Sequence, residues 1–447
     1  MKGEEDEPPA EKPKSLGRTA LLLLPLQFLF RGGEAALPLL LALWFGRNDA
    51  TNAQVLLAKF FTFSGAILVA CFQDSAFVPT LMRVRVDSPA RTGHVAGSIL
   101  SYTLVLGFGI ALLMGGGAAA WAHLRYPPEI TAVARGLTFF YALHMFALCV
   151  RAFLVGLLNS HHAYAAYPVA SGIGMGVALG TIFVAKRYMG ITAVPMGLFF
   201  GEIVSSFLLY QVARRYVTLR FGFTREPELK IFVALVSAEV LGNVVTRINP
   251  LVDQMVASWS SIEGGGTILN YAFDVATLPT SLVQASFLSV MLSHLSQHAA
   301  EGDRGQFRHT LRRSLLWVIA LLAGTCFLVF LVRKPAMRLI FAHGAMDVGG
   351  ADLIAEVLPF ALLGTVPFGV LLVLARAHVA LRNTRIMITM GILNAVLNAG
   401  FNIAFFRVLG LAGIALATAV MNLVVAIVFY VRLRKPLETL APDQGAG

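Results

Sequence analysis

A succession of long apolar runs, almost free of charge, constrains this chain more than any other feature. Each run is about 20 residues or more, enough for a helix to cross ~30 Å of hydrocarbon. Twelve can be counted, near 19–45, 54–82, 95–122, 133–158, 166–185, 191–212, 230–258, 266–292, 314–341, 353–376, 386–406 and 410–431. They are continuous and lack two-residue alternation. Helices, not a barrel, therefore satisfy the backbone in lipid. Composition agrees: 57% of residues are hydrophobic and 13% charged, against about 25% charged in a soluble domain. A soluble enzyme and a disordered chain are both excluded. The fold class is an all-α polytopic membrane protein with about twelve transmembrane helices.

The net charge of +11 would suggest nucleic acid on a soluble protein. Here it is a topology signal, and no nucleic-acid partner is expected. With the N-terminus inside, 22 of the 35 Lys and Arg fall in tails and loops on that side. They cluster at Arg83, Arg85 and Arg91, at Arg214 to Lys230, at Arg304 to Arg313, and at Arg432 to Lys435. The bias predicts both termini in the cytoplasm and an even number of spans. Residues 1–17 begin Glu4, Glu5, Asp6, Glu7, Pro8, Pro9. They read as a disordered cytoplasmic tail and not as a secretory signal, which needs a basic start. Cys71, Cys149 and Cys326 all sit in apolar runs, so neither a disulfide framework nor a metal motif is expected.

The segment from Met189, MGITAVPMGLFFGEIVSSFLLYQVARR, repeats as LGLAGIALATAVMNLVVAIVFYVRLRK from Leu409. Gly190 matches Gly410 and Arg214 matches Arg434. Six spans precede the end of each copy. The expected organisation is a tail at 1–17, a six-helix lobe at 18–216 and a cytoplasmic linker at 217–229. A second lobe at 230–435 and a tail at 436–447 complete it. Two such halves imply a transporter with a central cavity between them.

No nucleotide-binding, metalloprotease or nucleophile-elbow motif is present, so the chain is not read as an enzyme. His294 and His298 lie one turn apart but lack a third metal ligand. The informative residues are charges inside spans, each costing ~2.5–3.5 kcal/mol at the bilayer centre unless paired or hydrated. The cations are Arg31, Lys59, Arg151 and Arg247; the acids are Glu34, Asp74, Glu202, Glu239, Asp253 and Asp274. At 100° per residue, Gln27, Arg31 and Glu34 share a face of span 1. Glu239, Asn243, Thr246, Arg247, Pro250 and Asp253 form a stripe on span 7. Asn270, Asp274, Thr277, Ser281 and Gln284 form another on span 8. Such stripes line a water-filled path; they also serve as glue between helices. Asn394, Asn398 and Asn402, one turn apart on span 11, fit either reading. Proline at 25, 250 and 279 permits kinks in spans 1, 7 and 8.

Several of these pieces occur in a family order. QDSAFVP ends the second span, LLNSHHAYAAYP starts at Leu157, and INPLVDQMVAS starts at Ile248. NYAFDVATLP starts at Asn270, and LSQHAAEGD, FAHGAMD and LGLAGIALAT follow. Together they resemble the MurJ-type lipid II flippases of the MOP transporter superfamily, from about residue 44 to 435. The resemblance implies two six-helix lobes around a central cavity and the flipping of a lipid-linked, diphosphate-bearing glycan across the bacterial inner membrane by alternating access. It implies no cofactor, with H⁺ or Na⁺ as a coupling ion, and a monomeric transport unit among membrane lipids. Arg31, Lys59, Arg151, Arg247 and Asn270 are then the substrate-binding candidates. Glu34, Asp74, Glu202, Glu239, Asp253 and Asp274 are the ion-coupling or gating candidates. Lys59 matches the family's cation in span 2. Asp274 replaces the arginine of the family's YADRL, a reversal of charge. The family's span 1 cations fall at Leu37 and Leu43. Two rivals share the scaffold: a cation-coupled exporter of small molecules, and a non-transporting membrane scaffold.

Overall fold

A computed structural model describes residues 32–33, 35–70, 77–224, 247–383 and 385–438, with short pieces between 228 and 236. Arg31, Glu34, Asp74 and Glu239 lie outside the described residues, as do the 1–17 tail and residues 439–447. Among the described residues the regular elements are all helical. The first half holds α1 (Ala35–Phe45), α2 (Asp49–Ala70), α3 (Phe77–Asp87), α4 (Thr92–Arg125), α5 (Pro128–Ser160), α6 (Ala166–Met189) and α7 (Ala193–Ala213). The second holds α8 (Asn249–Ala257), α9 (Gly265–Ser286), α10 (Leu288–Glu301), α11 (Arg304–Phe341), α12 (Val348–Ala380), α13 (Arg385–Leu409), α14 (Leu411–Arg432) and α15 (Arg434–Glu438).

Seven described stretches are long and apolar enough to cross a membrane. Two of the twelve expected runs divide. The run at 54–82 contains both α2 and α3. The run at 266–292 breaks at Phe287 (φ −100°, ψ −41°), where α9 gives way to α10. The physical reason is polarity: α10 carries His294, Gln297, His298 and Glu301, which belong at an interface and not in hydrocarbon.

Helix starts follow local chemistry. Asp303 caps α11 by accepting from the Gln306 N–H (2.8 Å), and Asp347 caps α12 by accepting from the Gly350 N–H (2.9 Å). Pro128 occupies the first turn of α5, where its missing N–H costs nothing. The helices then pack by two rules. In lipid, burial of apolar surface does not drive helices together, so small residues let backbones approach. Gly174 and Ala178 of α6 meet Gly197 and Gly201 of α7 in this way. Meanwhile α11 turns Trp317, Phe327, Leu328 and Leu331 outward, as a lipid-facing surface requires.

The contacts form two bundles. In the first, α2, α4, α6 and α7 gather on one another around α5; in the second, α9, α11 and α14 gather on α12. Each bundle has two apolar cores. The bundles meet where α2 lies against α8 and α9. The turns after α1, α4 and α8 share one face with the α11–α12 turn, where Arg47 meets Asp347 and Trp121 meets Ser258. The Arg-rich stretches at 83–91, 214–220 and 304–313 share the other.

Candidate functional site

At the junction of the bundles lies a cavity of about 360 Å³. Among its described lining residues, Lys59 alone comes from the first half. The α9 stripe supplies Asn270, Asp274 and Thr277, placed on one face by their spacing of four and three. Asn270 Nδ2 donates to Asp274 Oδ2 (2.9 Å). From α8 come Asn249 and Asp253, one turn apart, and from α13 and α14 come Asn394, Thr418 and Asn422. Lys59 is within electrostatic reach of both Asp253 and Asp274. One cation therefore faces two carboxyl groups.

Asp253 is buried beside two fully buried amides. Asn398 Nδ2 (2.9 Å) and Asn402 Nδ2 (2.7 Å) both donate to its Oδ1. The same Asn402 amide also donates to Asn398 Oδ1 (3.1 Å). Asn249 donates to Asn394 Oδ1. Three buried acceptors around this cluster, Asn402 Oδ1, Gln254 Oε1 and Asn249 Oδ1, have no donor among the described residues. A buried carboxylate in a wall that also holds spare carbonyl oxygens has the chemistry to take a hard cation or a proton.

Of the candidates named from sequence, Lys59, Asn270, Asp253 and Asp274 come together here. Arg151 and Glu202 do not. Arg151 on α5 is ion-paired with Glu202 on α7, and its guanidinium lies over the Tyr167 ring (5.5 Å). Both line a separate cavity of about 60 Å³ inside the first bundle. A guanidinium buried in a membrane bundle needs an anion, and Glu202 supplies it 51 positions along the chain. Arg247 is exposed just before α8 and stands outside the cavity lining. Asn249, Asn394, Asn398, Asn402 and Thr418 are the members that charge counting passes over. The signal for the asparagines was the shared four-residue spacing of Asn249–Asp253 and of Asn394–Asn398–Asn402; Thr418 carried none.

Towards the face carrying Arg47 the bundles are joined. Arg47 Nε donates to Asp347 Oδ1 (3.2 Å), and Arg47 also reaches the Glu263 carbonyl (3.4 Å). The Ala345 N–H donates to the Leu43 carbonyl (2.8 Å). Trp121 Nε1 donates to Ser258 Oγ (3.3 Å), and Trp121 packs on Trp259 with ring centroids 5.7 Å apart. Thr267 and Thr51 hydroxyls meet at 3.3 Å. The cavity is thus capped on this side.

Comparison with known proteins agrees with this architecture. The family model for "Lipid II flippase MurJ" matches residues 42–444. A probable lipid II flippase MurJ of Rhizobium meliloti is 24% identical over 377 residues, covering 80% of this chain and 70% of the relative. The lipid II flippase MurJ of Burkholderia cenocepacia is 21% identical over 443 residues, covering 94% and 84%. A solved structure of lipid II flippase MurJ in an inward closed conformation superposes with a TM-score of 0.78 at 18% identity, over 94% of this chain and 90% of that one. An inward-facing multidrug resistance MATE family transporter of the MOP superfamily also gives 0.78, at 16% identity, over 95% and 100%. The two-lobe helical fold is common to both. With nearly its whole length matched by the family model, the chain belongs to the lipid II flippase MurJ family.

Proposed function

We propose that this protein is a flippase for a lipid-linked, diphosphate-bearing glycan precursor, used in cell-wall synthesis. The cavity between the lobes takes the polar headgroup and is exposed alternately to the two sides of the membrane. The observation that carries the reading is the position of Lys59. Among the described lining residues it is the first lobe's contribution to a cavity otherwise lined by the second, where an anionic headgroup bridges both lobes. Asn270, Asn249 and Asn394 offer amides to sugar hydroxyls. In this reading the Arg-rich face is cytoplasmic, as the positive-inside rule favours, with both termini on that side of a bacterial inner membrane. A single chain contains both lobes and the cavity, and acts as the transport unit.

The acids supply the coupling. The cation-binding chemistry around Asp253 suits Na⁺ or H⁺, and ion occupancy there changes the charge facing Lys59. Asp274 sits where the family's motif has arginine, so Lys59 meets phosphate with less help. The test is translocation of a labelled lipid-linked pyrophosphoryl disaccharide in proteoliposomes. Lys59→Ala is expected to lower the rate at least tenfold, and unchanged transport would sink the assignment. The cation-coupled exporter is favoured by one observation, the excess of carboxyl groups over cations among the described residues of the cavity. It predicts binding of a cationic solute that Asp274→Asn abolishes.

A further inference from the structure

A second built site lies away from the transport cavity, on the Arg-rich face of the first lobe. There a pocket of about 280 Å³ is lined by Arg85, Thr92, His94, His161, Tyr216 and Arg220 among others, and no carboxylate is among its described lining residues. Three separate stretches of sequence build it, at 85–94, at His161 and at 216–220. Arg85 ends α3, Thr92 and His94 open α4, His161 follows α5, and Tyr216 and Arg220 belong to the segment after α7. That segment is fixed by backbone: the Arg220 N–H donates to the Gly93 carbonyl (3.1 Å). Any side chain at Gly93 or Gly97 would collide with the carbonyls of Thr218 or Arg220.

The pocket holds polar atoms with no partner. Thr92 is 4% exposed and its Oγ1 has no hydrogen-bond partner among the described residues. Arg85 donates to the Ser160 carbonyl (2.6 Å) and lies 3.2 Å from His161 Nδ1. A guanidinium can only donate, so Nδ1 accepts and the imidazole proton sits on Nε2. That Nε2 is buried and has no partner among the described residues. Burial, then Arg85 and His162, holds His161 below its usual range, which keeps the ring neutral and in this form near pH 7. The first turn of α4 adds the positive end of a 34-residue helix with no side-chain cap. Two guanidiniums, two buried spare donors and a helix start belong to one pocket with no acid among its described lining residues, and Arg91, next to the pocket, already holds Glu228 (3.4 Å). An anion of phosphate geometry satisfies all of them.

Tyr216 also lines a neighbouring groove of about 530 Å³ between the ends of α6 and α7, whose other walls include Ala166, Val169, Ile173, Leu208 and Val212. A charged pocket that shares a wall with an apolar groove, at the end of membrane helices, fits one molecule with a phosphate and an acyl chain. We infer that this pocket binds the phosphate of an anionic membrane phospholipid, its acyl chain lying in the groove beside Tyr216. The site is independent of the transported substrate and anchors the segment linking the lobes.

The test uses the purified full chain in non-ionic detergent, titrated with dioctanoyl phosphatidylglycerol, dioctanoyl phosphatidylcholine and inorganic phosphate. Bound lipid is read by native mass spectrometry and stability by thermal unfolding. Phosphatidylglycerol is expected to bind and raise Tm. Arg220→Ala and Thr92→Val are each expected to weaken it at least tenfold without changing the Tm of the lipid-free protein, since the Arg220 side chain is exposed and valine matches threonine in size. Arg220→Lys is expected to retain most of the binding. Phosphatidylcholine, with its choline cation, is expected to bind more weakly. Equal affinity in wild type and both variants would overturn the site. Inorganic phosphate binding as tightly as phosphatidylglycerol would overturn the lipid assignment and give the pocket to a soluble anion.

Discussion

Gly190 and Gly410, 220 residues apart, hold the same backbone conformation: φ +54°, ψ −138° in one and φ +58°, ψ −134° in the other. Each ends the helix before the last span of its half. His162 (φ 60°) and Arg382 (φ 55°) repeat the relationship at the same offset, in the turns after α5 and α12. Two halves with matching backbone irregularities are one unit used twice.

The glycine pair gives the first prediction. Nothing lies within 4 Å of a Cβ added at either position. The cost of Gly190→Ala or Gly410→Ala is therefore backbone strain alone, about 1–3 kcal/mol in this region of φ/ψ. Unfolding in detergent is expected to show equal losses for the two variants. A loss in one half only would contradict their equivalence.

The repeat also shows what a sequence discloses. Gly190 and Gly410 could be aligned because both must be glycine at this φ. His162 and Arg382 could not, because the turn and not the residue type sets their conformation. The spans were legible from apolar continuity, and the α9 wall of the cavity from the spacing of Asn270, Asp274 and Thr277. Arg151 stands apart from the central cavity for a definite reason: helical periodicity shows that a charge faces inward, not which helix it meets. Only the packing of α5 on α7 brings Glu202 to it. The pocket at Thr92 and His161 was invisible because its residues come from three separate stretches with no shared period.

The Arg151–Glu202 pair is predicted to be structural. Glu202→Gln leaves a buried guanidinium unpaired and is expected to cost about 3–5 kcal/mol of stability. The double variant Arg151→Met, Glu202→Leu is expected to recover most of that and to transport normally. Restored stability with lost transport would return the pair to the substrate path.

The cap over the cavity depends partly on Arg47 and Asp347. The Arg47 hydrogen bond holds the Asp347 carboxyl below its usual range. A depressed folded pKa stabilises the joined form above the usual carboxylate range, ~3.9, and that contribution is lost as pH falls through the depressed value. The pair is exposed, so its worth is about 0.2–1 kcal/mol. Asp347→Asn keeps a good helix cap for α12 but removes the charge. Spin labels at Leu124 and Val348 are expected to show a larger separated population in this variant. Wild type is expected to show no change between pH 5 and 8. A pH-dependent separation in that window would assign the cap to other groups.

Asp253 is predicted to bind the coupling ion. Na⁺ in place of K⁺ is expected to raise the Tm of wild type, by about 2.7 kcal/mol of stability at a hundredfold excess over Kd. Asp253→Asn and Asn402→Ala are expected to abolish the difference. A pH-dependent but Na⁺-independent Tm, lost in the same variants, would identify the proton as the ion instead.

The central claim is that an anionic headgroup lies between Lys59 and Asp274, and its sign can be measured. At an intermediate dielectric a unit charge 4 Å away is worth about 4 kcal/mol, so removing either side chain moves affinity well beyond tenfold. Affinity for a lipid-linked pyrophosphoryl sugar is expected to fall in Lys59→Ala and to rise in Asp274→Asn. A rise in Lys59→Ala together with a fall in Asp274→Asn would mean that the cavity selects cations, and would contradict the account.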